Sequence, residues 1–153
     1  MRIPFWLRAS VAGLAGGAAW FLGLRLIFGP AQALLTDPAR QSAKMLSVFA
    51  PGPDAPKMYA QPSLVILGLL GIGLVWGWVY ASLAAAWHGA WWKRGLRFGV
   101  IAWAMMALWF EFYLPWNVLH EPAPLVALEL VCWFSVMLLV GLATAGVEAL
   151  FRR

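Results

Sequence analysis

The sequence predicts an all-α, integral membrane four-helix bundle with both termini in the cytoplasm and a short interfacial helix in its first outer loop. Of the 153 residues, 63% are hydrophobic and only 11% are charged, whereas soluble domains carry about 25% charged residues. Four apolar runs are each long enough to cross about 30 Å of hydrocarbon as a helix. We therefore expect a single transmembrane domain over residues 1–153, with the lipid bilayer as its main partner.

The bounds of the predicted helices follow from the apolar runs and the residues beside them. The backbone must satisfy its own hydrogen bonds in lipid, so the runs are predicted to be helices. The helices cover about residues 5–28, 64–87, 96–116 and 125–151, with an outer loop over 30–61. The first helix is expected to stop at Gly29-Pro30. Pro62 and Pro124 stand near the starts of the second and fourth helices, where a missing N–H costs little.

Lysine and arginine residues predict the orientation. If the chain crosses four times, seven of them lie on one side: Arg2, Arg8, Lys93, Arg94, Arg97, Arg152 and Arg153. The other side has Arg40, Lys44 and Lys57, diluted by Asp37 and Asp54. The positive-inside rule then places both termini in the cytoplasm, and the lack of targeting features favours a bacterial inner membrane. Because the basic residues flank the apolar runs, the net charge of +5 does not indicate a nucleic-acid partner.

An alternative interpretation of the first apolar run is a cleaved secretory signal. Arg2 and Arg8 precede the run, and Ala31-Gln32-Ala33 after it is typical of a cleavage site. The run is longer than a usual signal core, however, and Arg25 interrupts it. Retention as the first membrane span is therefore favoured, and mass spectrometry of the mature N-terminus distinguishes the two.

The outer loop is predicted to contain one short amphipathic helix from about Pro38 to Phe49. Asp37 followed by Pro38 fits an N-cap and a first helical position, and apolar residues then recur at helical spacing. We favour a plain surface connector over a lid or a partner-docking surface. Three prolines within residues 50–56 predict a stiff irregular loop after this helix.

Small residues recur at four-residue spacing on the first two predicted helices. The rows contain Gly13 and Gly17 on the first helix and Gly73, Gly77, Ala81 and Ala85 on the second. Such rows let two helix backbones approach closely in a membrane. The simplest use is packing of the first helix on the second, and the alternative is homodimerisation through the same rows.

Three charged residues interrupt the apolar runs at a similar predicted depth, in the outer third of the membrane. They are Arg25, Glu111 and Glu129. A buried carboxylate is costly unless it is paired, and one guanidinium can serve two carboxylates. We therefore expect Arg25 to pair with both glutamates.

The residues after Glu111 extend this polar region toward the outer surface. Pro115 has no N–H to donate to the carbonyl of Glu111, so an unpaired backbone acceptor is expected there. Asn117, His120 and Glu121 follow at the outer mouth and complete the predicted polar intramembrane cluster. At the other end of the bundle, Glu148 is expected to snorkel or to meet Arg152.

The cluster leaves three interpretations open: a structural tie between helices, a binding site for a solute or protons, and a metal site. A metal site is disfavoured because the spacing of Glu111, His120, Glu121 and Glu129 matches no known ligand motif. Since no catalytic or nucleotide-binding motif is present, we expect neither enzymatic activity nor a cofactor. The first hypothesis is an accessory or assembly subunit of a larger membrane complex, or a homo-oligomeric component. The second is a small transporter or a solute- or proton-binding protein.

Overall fold

The structure, a computed structural model, describes residues 3–49 and 60–151. Four helices are long and apolar enough to cross a membrane: α1 (Phe5–Leu35), α3 (Pro62–Ala84), α4 (Trp91–Val118) and α5 (Ala123–Leu150). The short helix α2 (Ala43–Phe49) lies between the first two, and no strand occurs in the described ranges. The predicted all-α class with four long apolar helices is confirmed. Residues 50–59, Arg2, Arg152 and Arg153, on which part of the loop and charge predictions depend, lie outside the described residues.

Helix α1 does not stop at Gly29-Pro30 as predicted but continues to Leu35. The residues before the proline, Leu24–Phe28, form a π-helical stretch, in which each N–H bonds to the carbonyl five residues earlier. Proline lacks the N–H that an α-helix would use and crowds the carbonyl four residues before it. The wider register before Pro30 accommodates both effects, so the helix gains roughly two turns.

A second wide stretch in α4 surrounds Pro115. Residues Phe112–Val118 are π-helical, so the N–H opposite the carbonyl of Glu111 is that of Trp116, five residues later. The expected unpaired carbonyl therefore has a donor in this register, and that expectation was wrong. The carbonyl of Pro115 accepts a hydrogen bond from the N–H of Glu121 at 2.8 Å, which ties the α4–α5 connection to the end of α4.

Helix α2 begins five residues later than the predicted start at Pro38. The Asp37 side chain caps only a turn, in which its Oδ1 accepts the N–H of Ala39 at 2.9 Å. Ser42 is the residue that caps α2, because its Oγ accepts the N–H of Met45 at 3.0 Å. The intervening Gln41 is buried in a contact with another segment, so tertiary structure decides where this helix begins.

The long helices pack in the order α3, α1, α5 and α4. Helices α3 and α4 are in contact at the end of the bundle opposite α2. There, the rings of Tyr80 of α3 and Phe98 of α4 lie with their centroids 5.3 Å apart. Both rings are fully buried. The opposite end, which we call the α2 end, holds α2, the α4–α5 connection and the site described below.

The glycine rows of α1 and α3 face each other within one chain. A Cβ added at Gly73 would lie 2.6 Å from the carbonyl oxygen of Gly13 and 2.9 Å from the Cα of Gly17. At Gly77 it would meet the backbone of Gly13 at 2.5 Å. Ala81 is buried on the same helix, whereas Ala85 lies beyond the end of α3 and is exposed. The predicted packing row therefore does not extend to Ala85, because the helix ends before it.

A second glycine contact joins α4 to α5, and its residues are not among the rows named from the sequence. A Cβ at Gly95 would lie 2.8 Å from the carbonyl oxygen of Gly141, and one at Gly99 would lie 2.6 Å from that of Met137. Gly95 and Gly99 have the same four-residue spacing as the rows on α1 and α3. The signal was present in the sequence, and both tightly packed helix pairs use it.

Candidate functional site

Three glutamates from two helices and their connection meet at the α2 end of the bundle. Glu111 lies on α4, Glu121 in the α4–α5 connection and Glu129 on α5. One carboxylate oxygen of each lies within 4.8 Å of the others. The side chains are buried, with exposed fractions of 1%, 2% and 8%. We call these three residues the carboxylate cluster.

The predicted ion pair between Arg25 and the glutamates is not formed. Within residues 3–49 and 60–151 the ion pairs are Arg8 with Glu148 and Arg40 with Asp37. Arg25 is exposed, and its guanidinium carbon lies 5.7 Å from the ring centroid of Phe21. Its side chain lines the cavity that Glu111 and Glu129 also line, but it forms no ion pair with either of them.

Asn117 and His120 do not join the carboxylate cluster. Both are exposed, and Asn117 lines a separate groove on another face of α4. His120 has a φ of 58°, in the left-handed region, just after the end of α4. Of the predicted polar residues, the structure therefore brings together Glu111, Glu121 and Glu129.

Gln41 holds the segment before α2 against the carboxylate cluster, and the sequence analysis missed it. Its side chain is buried, and Nε2 donates hydrogen bonds to Oε1 of Glu121 at 2.6 Å and to the carbonyl of Leu35 at 3.0 Å. Ser42 Oγ donates to the carbonyl of Leu119 at 2.6 Å. Since Gln41 and Glu121 are 80 positions apart, no local pattern indicated this contact.

A cavity of about 960 Å³ lies beside the carboxylate cluster. All four long helices contribute to its wall, and Met45 and Val48 of α2 line it from the α2 end. Glu111 and Glu129 line the cavity together with four aromatic rings, Phe21, Phe28, Phe110 and Trp133. Neither carboxylate oxygen of Glu111 has a hydrogen-bond partner of good geometry among the described residues, although the carboxylate interacts with Glu129 and Trp133. Glu111 is therefore a buried acid without a basic partner at the wall of the cavity.

The charge state of the cluster follows from its burial. Burial raises the pKa of Glu121, which lies outside the four long helices, from 4.5 to about 7; the hydrogen bond from Gln41 opposes this shift, and the nearby Glu129 charge adds to it. Three ionised carboxylates this close together would repel one another strongly in a low-dielectric environment. The cluster must therefore hold protons or a cation. Its carboxylate oxygens can accept hydrogen bonds from an ammonium group or coordinate a hard metal ion.

A fourth buried acid, Glu148, lies at the opposite end of the bundle from α2. Its side chain is 2% exposed, and its Oε1 is 4.0 Å from Nη1 of Arg8. This contact with α1 forms because α1 and α5 pack side by side. The expected contact with Arg152 involves a residue outside the described ranges.

The fold and the site define a small all-helical protein, compatible with a membrane protein, with a buried acidic cluster beside an apolar cavity. No family model, no curated protein and no solved structure matches the chain.

Replacing Gln41 with alanine is expected to release the segment that contains α2. The change leaves Oε1 of Glu121 and the carbonyl of Leu35 without this donor, at a cost of about 1–3 kcal/mol. Hydrogen exchange by mass spectrometry should show faster exchange over residues 39–49, while α5 is unaffected. The control is Ser47→Ala, which removes an exposed bond to the carbonyl of Lys44. Equal exchange in the two variants would contradict an anchoring role for Gln41.

Glu121 is expected to make the stability of the protein depend on pH. Its pKa is higher in the folded chain, about 7, than its ordinary value of 4.5, so the folded state binds the proton more tightly. This contribution to stability is complete below pH 4.5 and is lost as the pH rises through 7. The groups near Glu121 are Gln41, Glu111 and Glu129.

Thermal unfolding in mild detergent between pH 4 and pH 8 measures this effect. Glu121→Gln should flatten the fall in melting temperature over that range. Asp37→Asn, which removes a half-buried charge paired with Arg40, is the control and should keep the wild-type slope between pH 5 and pH 8. If the Glu121→Gln variant kept the wild-type slope, Glu121 would not be the source of the pH dependence of stability.

Proposed function

We propose that this chain is a small, non-enzymatic multi-pass membrane protein that binds a cation at Glu111, Glu121 and Glu129 and exchanges it for protons. The observation that supports the proposal is the approach of three buried carboxylates to within 4.8 Å of one another beside a cavity of about 960 Å³. This is the solute- and proton-binding hypothesis of the sequence analysis, with Glu121 in the place that Arg25 was expected to take.

The absence of an ion pair to Arg25 supports a binding role over a structural tie. A structural carboxylate in an apolar environment is expected to have its partner within the fold. Glu111 has no ion pair among the described residues, and its polar contacts are another acid, Glu129, and Trp133. An acid kept without a basic partner is unfavourable for folding, and such groups are concentrated where function requires them.

The proposal includes an orientation in the membrane. By the positive-inside rule, both termini lie in the cytoplasm of a bacterial cell and the chain resides in the inner membrane. The carboxylate cluster then lies near the outer surface, where protons and solutes can reach it. Helix α2 lies at the outer interface and covers the cluster, in agreement with the contact between Gln41 and Glu121.

Proton release on cation binding tests the proposal. Purified protein in mild detergent, in weakly buffered solution at pH 6, is mixed with Mn²⁺ or with benzyltrimethylammonium, and released protons are followed with a pH-sensitive dye. The wild type is expected to release protons with one of the two cations. Glu111→Gln and Glu129→Gln are each expected to reduce the release.

Asp37→Asn is the matched control, because it removes an acid outside the cluster. It should release as many protons as the wild type. A wild type that releases no protons with either cation would contradict the proposal, as would a release that persists in a folded variant with Glu111 and Glu129 both replaced.

A second candidate function is that of an accessory or assembly subunit, or a homo-oligomeric component. The observation that favours it is a groove of about 480 Å³ along the exposed face of α4. Trp109 and Tyr113 stack there with ring centroids 5.1 Å apart, and the polar Asn117 lies beside them. Asparagine is one of the side chains that hydrogen-bond across the contacts between membrane helices.

Copurification in mild detergent tests the second candidate. A stable partner or a stable oligomer that is lost in Asn117→Leu would support it. A monomer that copurifies with no other protein would contradict it.

A further inference from the structure

The cavity beside the carboxylate cluster has two chemically different regions. Glu111 and Glu129 supply negative charge at one place in its wall. Most other lining residues are apolar, and they come from every long helix. The aromatic members are Phe21, Phe28, Phe110 and Trp133, and the aliphatic members include Leu24, Val65, Leu69 and Leu114. Charge at one position and apolar surface elsewhere match a ligand with a charged head and an apolar body.

We propose that the ligand of this cavity is an amphipathic organic cation, an ammonium group attached to an apolar body, whose charge lies between Glu111 and Glu129. The inference rests on the proposed function and names the class of cation. The ammonium group lies against the carboxylates of Glu111 and Glu129, which both line the cavity, and the apolar body replaces water along the aromatic wall.

The size and lining of the cavity favour this class over an inorganic ion. A metal ion needs only its first shell of oxygen ligands, and the carboxylate cluster alone would supply those. It would make no use of about 960 Å³ of mainly apolar space. That volume is in the range of pockets that bind drug-sized molecules, which is about 300–1,000 Å³.

The aromatic rings provide a second source of affinity for a cation. Ring faces attract ammonium and guanidinium groups, and one such contact exists at the cavity wall, where the Arg25 guanidinium lies 5.7 Å from the Phe21 ring centroid. Arg25 also has the only basic side chain among the described lining residues. Its single positive charge opposes a cation, but the two carboxylates that line the same cavity outnumber it.

The ligand also explains why three acids at this position are compatible with the fold. One monocation, together with a proton retained by the cluster, reduces the repulsion between Glu111, Glu121 and Glu129. Because the cation and protons compete for the same oxygens, affinity for the cation should rise with pH. The nearby groups that carry charge are these three glutamates and Arg25; Gln41, on the side of α2, is neutral.

Isothermal titration of the purified protein in mild detergent tests the inference with three probes of similar size. Benzyltrimethylammonium is the cation, neopentylbenzene is its neutral isostere, and phenylacetate is an anion. Detergent micelles without protein correct for partition of each probe. We expect the cation to bind at least tenfold more tightly than the neutral isostere, and the anion not to bind.

Two variants locate the binding. Glu111→Gln is expected to weaken binding of benzyltrimethylammonium about thirtyfold or more, and Phe110→Leu about three- to tenfold. Glu129→Gln repeats the charge test if Glu111→Gln does not fold. Asp37→Asn should bind as the wild type does.

The outcomes separate this inference from the proposed function. Binding of Mn²⁺ with proton release, but without binding of benzyltrimethylammonium, overturns the organic-cation inference and leaves the proposed function intact. Equal binding of the neutral isostere overturns the inference, because the cavity would then recognise only apolar surface. No binding of either cation overturns both.

Discussion

Replacing Gly73 with alanine is expected to destabilise the protein by about 2–3 kcal/mol relative to the same change at Gly71. A Cβ at Gly73 would lie 2.6 Å from the carbonyl oxygen of Gly13 and 2.9 Å from the backbone of Gly17. These are backbone atoms of α1, so the conflict can be relieved only by moving a helix. At Gly71, two residues away in α3, a Cβ meets nothing within 4 Å.

The comparison isolates the helix contact because the two variants share every other effect. Both changes lie inside α3, and both gain the higher helix propensity of alanine, about 1 kcal/mol. Unfolding in mild detergent, followed by circular dichroism, should show a lower midpoint for Gly73→Ala and an equal or higher midpoint for Gly71→Ala. Equal midpoints for the two variants would show that the close approach of α1 and α3 contributes little to stability.

The second large effect is expected at Glu111. Replacement by methionine should raise the stability of the folded protein by about 1–3 kcal/mol, because it removes a buried carboxylate that has no basic partner among the described residues. Methionine is similar in size to glutamate and adapts to an irregular space. The same change should abolish the proton release and the cation binding described above, since a gain in stability with a loss of function is typical of acids kept for binding.

Arg25→Leu is the control that distinguishes this expectation from the structural tie predicted by the sequence. If Arg25 and Glu111 formed a buried ion pair, removing either residue would destabilise the protein by about 3–5 kcal/mol. In the structure Arg25 is exposed and has no ion pair within the described residues, so its replacement should change stability by less than about 0.5 kcal/mol. If both variants lost several kcal/mol of unfolding free energy, the interpretation of Arg25 and Glu111 as a structural ion pair would be supported instead.

The four long helices could be predicted from the sequence because the signal is local. Length and hydropathy within one run are sufficient to identify a helix that can cross a membrane, and nothing from another part of the chain enters. The errors at the boundaries have a local cause as well. Pro30 was expected to end α1, but the π-helical stretch Leu24–Phe28 before it keeps the helix continuous.

The meeting of Glu111 and Glu129 was partly predictable, because depth follows from position along a helix at about 1.5 Å per residue. The direction in which each side chain points does not follow from depth. It depends on how each helix is rotated about its axis, and packing sets that rotation. Arg25 is exposed and outside the cluster, whereas Glu121, which was expected at the mouth, lies inside it.

The number of long helices, their apolar character and the residues that could carry buried charge follow from composition and spacing along one segment of sequence. Which of these charges meet depends on how the helices pack. Gln41 reaches Glu121 across 80 positions of sequence, and the cavity exists only where four helices and α2 surround a common space. The physical reason is that helix formation depends on neighbours in sequence, whereas a binding site depends on side chains from segments brought together by packing.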